Sequence, residues 1–166
     1  MLTRRRLLGA GGAAALLAPA ALPRSAHAEQ GGHLITLLSP ARVYDSRNPG
    51  ELLGGRKHQP GDVPAISVGL AIGGGYVLAV FLNITVTETE SAGYLTVLPE
   101  DCSGERPVPL TSNINWWQTG QTIGNAGLVA VGCENSLAIR IRGGTAGAPP
   151  RAHVILDVQG YVPYSG

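Results

Sequence analysis

Residues 78–98 read LAVFLNITVTETESAGYLTVL, and this stretch decides the fold class. Leu78, Val80, Leu82, Ile84 and Val86 occupy one set of alternate positions, and Ala79, Phe81, Asn83, Thr85 and Thr87 occupy the other. Alternation of that length, rich in β-branched side chains, predicts a long strand with one strongly apolar face. Residues 88–93 are polar and end in glycine, after which residues 94–98 resume the alternation, so the pattern predicts a hairpin. A hairpin cannot bury its apolar face alone, so the remaining strands must supply a second layer.

Working outward, the same signals recur on both sides. Short strands are expected at 34–38 and 42–45, divided by Pro40, and at 66–72 before the glycine run 73–75. That run reads as a turn and not as a phosphate loop, because no helix follows it. Further strands are expected at 111–118 and 151–162, with 128–132 and 137–142 forming a second hairpin. In that hairpin Leu137, Ile139 and Ile141 should face inward and Arg140 and Arg142 outward. Residues 48–64, 99–109, 119–127 and 143–150 read as loops or turns. No stretch sustains a 3.6-residue period, and 24 glycines with 12 prolines punctuate the chain. The expectation is an all-β, single-domain antiparallel sandwich or barrel-like fold of about eight to ten short strands. Residues 79–86 (AVFLNITV) and 153–160 (HVILDVQG) resemble each other, as a distant duplication or as two buried strands that look alike by chance.

The first 28 residues carry a different signal. Arg4, Arg5 and Arg6 precede a mildly apolar run to Leu22, and Ala26-His27-Ala28 has the small-x-small form of a signal-peptidase site. This predicts a signal peptide over 1–28, too short and too weakly apolar to anchor in a bilayer, followed by a lead segment at 29–39 and one β domain at 40–166. The arginine pair points to twin-arginine export, with the general secretory route as the alternative. Cleavage lowers Lys+Arg from 12 to 8 against 11 Asp+Glu, so the mature chain carries −3 and not +1. No basic stripe remains, which argues against nucleic acid or an anionic membrane surface as a partner.

Cys102 and Cys133 are the only cysteines, both in expected loops, and an exported chain with an even count predicts a disulfide between them. His33, His58 and His153 are scattered without metal-ligand spacing, and the motifs of serine hydrolases, zinc proteases and EF-hands are missing from the sequence. Neither a metal, a cofactor nor a catalytic residue is therefore expected. Asn83-Ile84-Thr85 matches a glycosylation sequon, but it falls inside an expected strand. Trp116-Trp117 is the most suggestive candidate. Neighbours in a strand point to opposite faces, so one tryptophan at most joins the core. The other offers an aromatic face of the kind on which sugar rings stack, with Gln118, Asn115 and Gln121 nearby as hydrogen-bonding groups. The competing reading packs Trp117 beneath a loop.

Several short motifs, in order, resemble a domain common in secreted actinobacterial proteins. They are ARVYDSR at 41–47, LNITVT at 82–87, GYLTV at 93–97, SNIN at 112–115, GQT at 120–122 and VILDVQGY at 154–161. The resemblance spans about residues 40–163. Trp117 is additional to that pattern, and Gly124-Asn125 stands where the pattern has Ala-Asn. In such proteins the domain stands alone, repeats in tandem or accompanies cell-wall and polysaccharide enzymes. The resemblance therefore implies an accessory, non-catalytic module. Asp45, Arg47, Asn83, Asn115, Asn125 and Asp157 all fall on motif positions, and their placement beside apolar strand residues suggests one buried polar network.

Together these readings predict a secreted, extracellular, non-enzymatic binding module acting at or near the cell envelope. Its partner would be another secreted or cell-surface protein, recruited through the apolar lead 33–38 by strand addition, or an envelope glycan held by Trp116, Trp117 and Gln118. An enzyme acting on polysaccharide or cell wall is the rival from a different class.

Overall fold

The computed structural model describes residues 34–103 and 111–164, so the expected signal peptide lies outside the described residues. Eight strands run in chain order: β1 (Thr36–Asp45), β2 (Ala65–Ser67), β3 (Val77–Glu90), β4 (Gly93–Pro99), β5 (Ile114–Trp116), β6 (Ile123–Ala130), β7 (Ser136–Arg142) and β8 (Arg151–Pro163). They form two four-stranded antiparallel sheets, ordered β1-β8-β3-β6 and β2-β7-β4-β5. The architecture is a β-sandwich, one of the two all-β folds expected from the sequence. The pairs β1–β8, β2–β7, β3–β6 and β4–β5 are nested one inside the next. A long two-stranded ribbon rolled up on itself has this order, which is that of a jelly roll.

Between the sheets lies a core to which β3 contributes Val80, Leu82, Ile84 and Val86, β7 contributes Leu137, Ile139 and Ile141, and β8 contributes Val154, Leu156 and Val158. The period-2 reading of β3 holds from Val80 to Val86. It fails at Leu78, which is exposed, because the register against β8 slips between Val77 and Ala79 and turns Val77 inward instead. The two similar segments of β3 and β8 lie side by side, with Asn83 directly opposite Asp157.

Neither expected hairpin forms. β3 and β4 are joined by a tight turn but belong to opposite sheets, and the same is true of β6 and β7. Alternation shows which face of a strand is apolar, yet two strands facing each other across a core carry the same pattern as two hydrogen-bonded neighbours. Boundaries also differ, the strand expected at 111–118 shortening to β5 among them. β1 runs unbroken through Pro40, because its register against β8 slips between Leu37 and Ala41, and an edge strand tolerates a missing N–H. β2 stops at Ser67, short of the expected 72. β6 begins at Ile123, inside the expected turn, where Gly124 and Gly127 lie on an edge strand paired along its whole length with β3.

The expected disulfide joins Cys102 to Cys133 with a Cα–Cα distance of 6.0 Å. It ties the segment after β4 to a short 3-10 turn (Cys133–Asn135) between β6 and β7. There the chains touch closely: the Cys133 N–H donates to the Glu100 carbonyl at 3.2 Å, and a Cβ on Gly132 would lie 1.9 Å from that carbonyl oxygen. A disulfide of this kind is compatible with an oxidising, extracellular destination. No helix among the described residues is long and apolar enough to cross a membrane.

Candidate functional site

Because every pairing is antiparallel, the loops 46–64, 91–92, 117–122 and 143–150 gather at one end of the sandwich. That end is shaped by an irregularity in β3. Three steps along β3 from Thr87 to Glu90 match two along β8 from His153 to Arg151, and the extra residue is Glu88, held at φ 52°. A bulge of this kind re-aims the side chains beyond it. Thr89 turns inward and is fully buried, while Glu90 turns out towards β8 and the 46–64 loop.

Thr89 holds the loop that carries the tryptophan. Its hydroxyl donates to the Gln118 carbonyl at 2.8 Å and accepts the Gln121 N–H at 2.8 Å, and its own carbonyl accepts the Gly120 N–H at 2.7 Å. Gly120 sits at φ 80°, a left-handed conformation that a side chain would oppose. The Gln121 side-chain oxygen accepts the backbone N–H groups of Trp117 and Gln118 at 2.8 and 3.0 Å, and the Ser91 N–H donates to the Thr119 hydroxyl. Few of this loop's backbone groups are left to wander.

The two tryptophans separate as strand alternation requires. Trp116 ends β5 on its inner face with 2% of its surface exposed, close against Gly93, where an added Cβ would lie 2.7 Å from the indole. It belongs to the core and does not face a ligand, which corrects its place among the expected binding residues. Trp117 follows the strand end and stands 70% exposed, with Gln118 also exposed beside it.

On the β8 side of Glu90 lies a cleft of about 380 Å³ lined by Arg56, Lys57, Gln59, Glu90 and Arg151. Its floor is the 46–64 segment, which is more ordered than its glycine-rich sequence suggests. His58 exchanges backbone hydrogen bonds with Ala152, and its buried Nε2 lies 2.8 Å from the Tyr44 hydroxyl. Burial lowers the His58 pKa to about 4, so the ring is neutral at physiological pH, and burial likewise raises that of Tyr44. Arg56 grips the Asp62 carboxylate with two N–H groups at 2.6 and 2.8 Å, and Lys57 donates to Glu90 at 2.8 Å.

The six motif residues expected to form one buried network fall into separate groups. Asp157, Arg42, Asp45 and Arg47 make a chain of ion pairs on the outer face of the β1–β8 ladder. Arg42 Nε donates to Asp157 at 2.9 Å, Arg42 Nη1 to Asp45 at 3.2 Å, and Arg47 Nη2 to Asp45 at 2.6 Å. Both arginines are about half exposed, so the chain is a surface one. The Arg47 hydrogen bonds lower the Asp45 pKa to about 2 despite some opposing burial. Asn83 donates weakly to Thr85, Asn115 pairs with Ser112, and Asn125 donates to the Asn113 carbonyl. Arg42, which joins the two aspartates, went unrecognised although it lies inside the ARVYDSR motif.

A serine and a histidine also meet: Ser46 Oγ lies 3.1 Å from His153 Nδ1, and His153 Nε2 lies 4.0 Å from the Glu88 carboxylate. Ser46 is fully buried and its hydroxyl accepts the Val154 N–H at 2.9 Å, so the group ties the end of β1 to β8. Among the described residues no group of three or more His, Cys, Asp or Glu is placed to hold a metal ion. No family model matches the chain, and no curated protein matches it.

Proposed function

We propose that this protein is a secreted, non-catalytic binding module whose ligand is a glycan of the cell envelope, with Trp117 as the stacking platform. The observation that carries the reading is an indole 70% exposed on a loop pinned through Thr89 and Gln121. An exposed tryptophan loses little conformational entropy on binding when its backbone is already fixed, and a flat aromatic face suits the apolar face of a sugar ring. Gln118 beside it supplies hydrogen-bonding groups. The motif resemblance to domains that accompany polysaccharide enzymes supports the same class.

Recruitment of a protein through the N-terminal lead is the second reading. It is favoured by Leu34, Ile35 and Leu37, all exposed, although Thr36 and Leu37 already pair with Tyr161 and Gly160 of β8. Retention of the secreted protein on insoluble peptidoglycan, chitin and cellulose decides between them. The expected result is retention on at least one of these that falls about tenfold in Trp117→Ala, with no change in melting temperature. Retention by none of them, or equal retention of wild type and Trp117→Ala, overturns the glycan reading.

A further inference from the structure

We infer that the ligand is an anionic glycan, whose carboxylate or phosphate substituents enter the cleft formed by Arg56, Lys57, Gln59, Glu90 and Arg151. The inference rests on the glycan reading and adds the charge of the ligand to it.

Three cations line this cleft. Their carboxylate partners are two, since Glu90 is shared between Lys57 at 2.8 Å and Arg151 at 3.8 Å, while Asp62 is taken by Arg56. One positive charge is left over, in a mature chain whose net charge is negative. The other ion cluster, Asp157–Arg42–Asp45–Arg47, has two charges of each sign and no such surplus. The Arg151–Glu90 contact is long for a charge-assisted hydrogen bond, so an incoming anion can take Arg151 without breaking a close pair. Gln59 adds a neutral group suited to sugar hydroxyls. His58 lies beneath the cleft but is neutral at physiological pH and adds no charge.

The cleft and the tryptophan share one rim. Glu90 and Ser91 are consecutive, Ser91 donates to Thr119, and Thr119 is two residues from Trp117, a backbone path on the order of 15 Å. One polymer can therefore stack on the indole and place a charged substituent in the cleft.

Affinity electrophoresis or calorimetry with polygalacturonate, its methyl ester and poly(glycerol phosphate) tests this. The acid and its ester share a backbone and differ in charge. The expected result is binding to an acidic polymer about tenfold tighter than to the ester at physiological ionic strength. The preference should vanish in Lys57→Gln/Arg151→Gln and grow in Glu90→Gln, while Trp117→Ala weakens binding to acid and ester alike. Preference for poly(glycerol phosphate) over polygalacturonate supports the inference and assigns a phosphate. Equal binding of polygalacturonate and its ester without binding of the phosphate polymer, or a preference that survives the double substitution, overturns the anionic inference and leaves the glycan reading standing. If none of these binds and the insoluble glycans also fail, both fall together.

Discussion

The two ends of the sandwich are held by different means. At one end the closures lie within the loops themselves: the Cys102–Cys133 bond, the approach of Gly132 to Glu100, and Asn135, whose side-chain amide accepts the Val77 N–H and donates to the Gly75 carbonyl. At the other end the loops are held by side chains reaching out of the strands, Thr89 under the tryptophan loop and Tyr44 under His58. The first arrangement fixes the fold. The second fixes loop backbones from below and leaves an indole and three cations facing solvent. The difference teaches where stability and recognition are separable, and substitutions at each end should show it.

The largest effect is expected at the disulfide. Its enclosed segment of 31 residues corresponds to about 3.5 kcal/mol in the chain-entropy account. Cys102→Ser/Cys133→Ser should lower the melting temperature by roughly 10 °C and leave the proposed glycan binding at low temperature unchanged. A variant that melts within a degree of the wild type would remove the distinction between the ends.

Acid should act at the opposite end. The buried His58 has its pKa lowered to about 4 from an ordinary value of 6.5, so between those limits the unfolded chain binds more protons than the folded one. The stability from neutral His58 is present above about pH 6.5 and is lost as pH falls towards 4, by roughly 3 kcal/mol. His153 is shifted in the same direction by burial. Asp45 is a depressed carboxylate, so its contribution is fully present throughout that window and is lost only below it, as pH falls from the ordinary value of 3.8 towards about 2. Denaturant melts across pH should show the decline beginning near 6.5, and His58→Gln should flatten much of it. An unchanged slope in that variant would move the acid sensitivity elsewhere.

The smallest effect on stability is expected from Thr89→Val. It keeps the shape of the side chain and removes two hydrogen bonds, at a cost of about 1–2 kcal/mol. Hydrogen exchange should quicken at the Gln121 amide while amides of β8 keep their protection, and the proposed glycan binding should weaken with the loosened loop. Protection lost equally everywhere would mean that Thr89 supports the whole fold and not one loop.

What was legible in the sequence follows from the range of each signal. Period-2 alternation located the strands and the inner face of β3 from Val80 to Val86, and it separated Trp116 from Trp117, because these are properties of adjacent residues. Strand partners were not legible, since β3 and β4 alternate alike whether hydrogen-bonded or stacked across a core. The cleft was hidden for a related reason. Lys57 lies in a glycine-rich loop, Glu90 in what reads as a turn and Arg151 at a strand start, and only the rolled ribbon brings them together. The bulge at Glu88 left no mark beyond a polar residue in an apolar–polar alternation. Asp45, Arg47 and Asp157 lie on one face, but the three asparagines join neither them nor one another: Asn83 and Asn115 bond to near neighbours in the chain and Asn125 to the Asn113 carbonyl.

The nesting of the strands bears on how the chain reaches its native state. β8 is the partner of both β1 and β3, so the sheet that contains them lacks one of its two central members until the eighth strand has been made. Among the described residues, β4–β5 alone pairs strands consecutive in the chain. Contacts this distant in sequence close slowly, because each must wait for a large loop to find its ends. Most strands of the sandwich therefore wait for distant partners, and a product cut short before Arg151 would leave β1 without a neighbour and turn β3 into an edge strand.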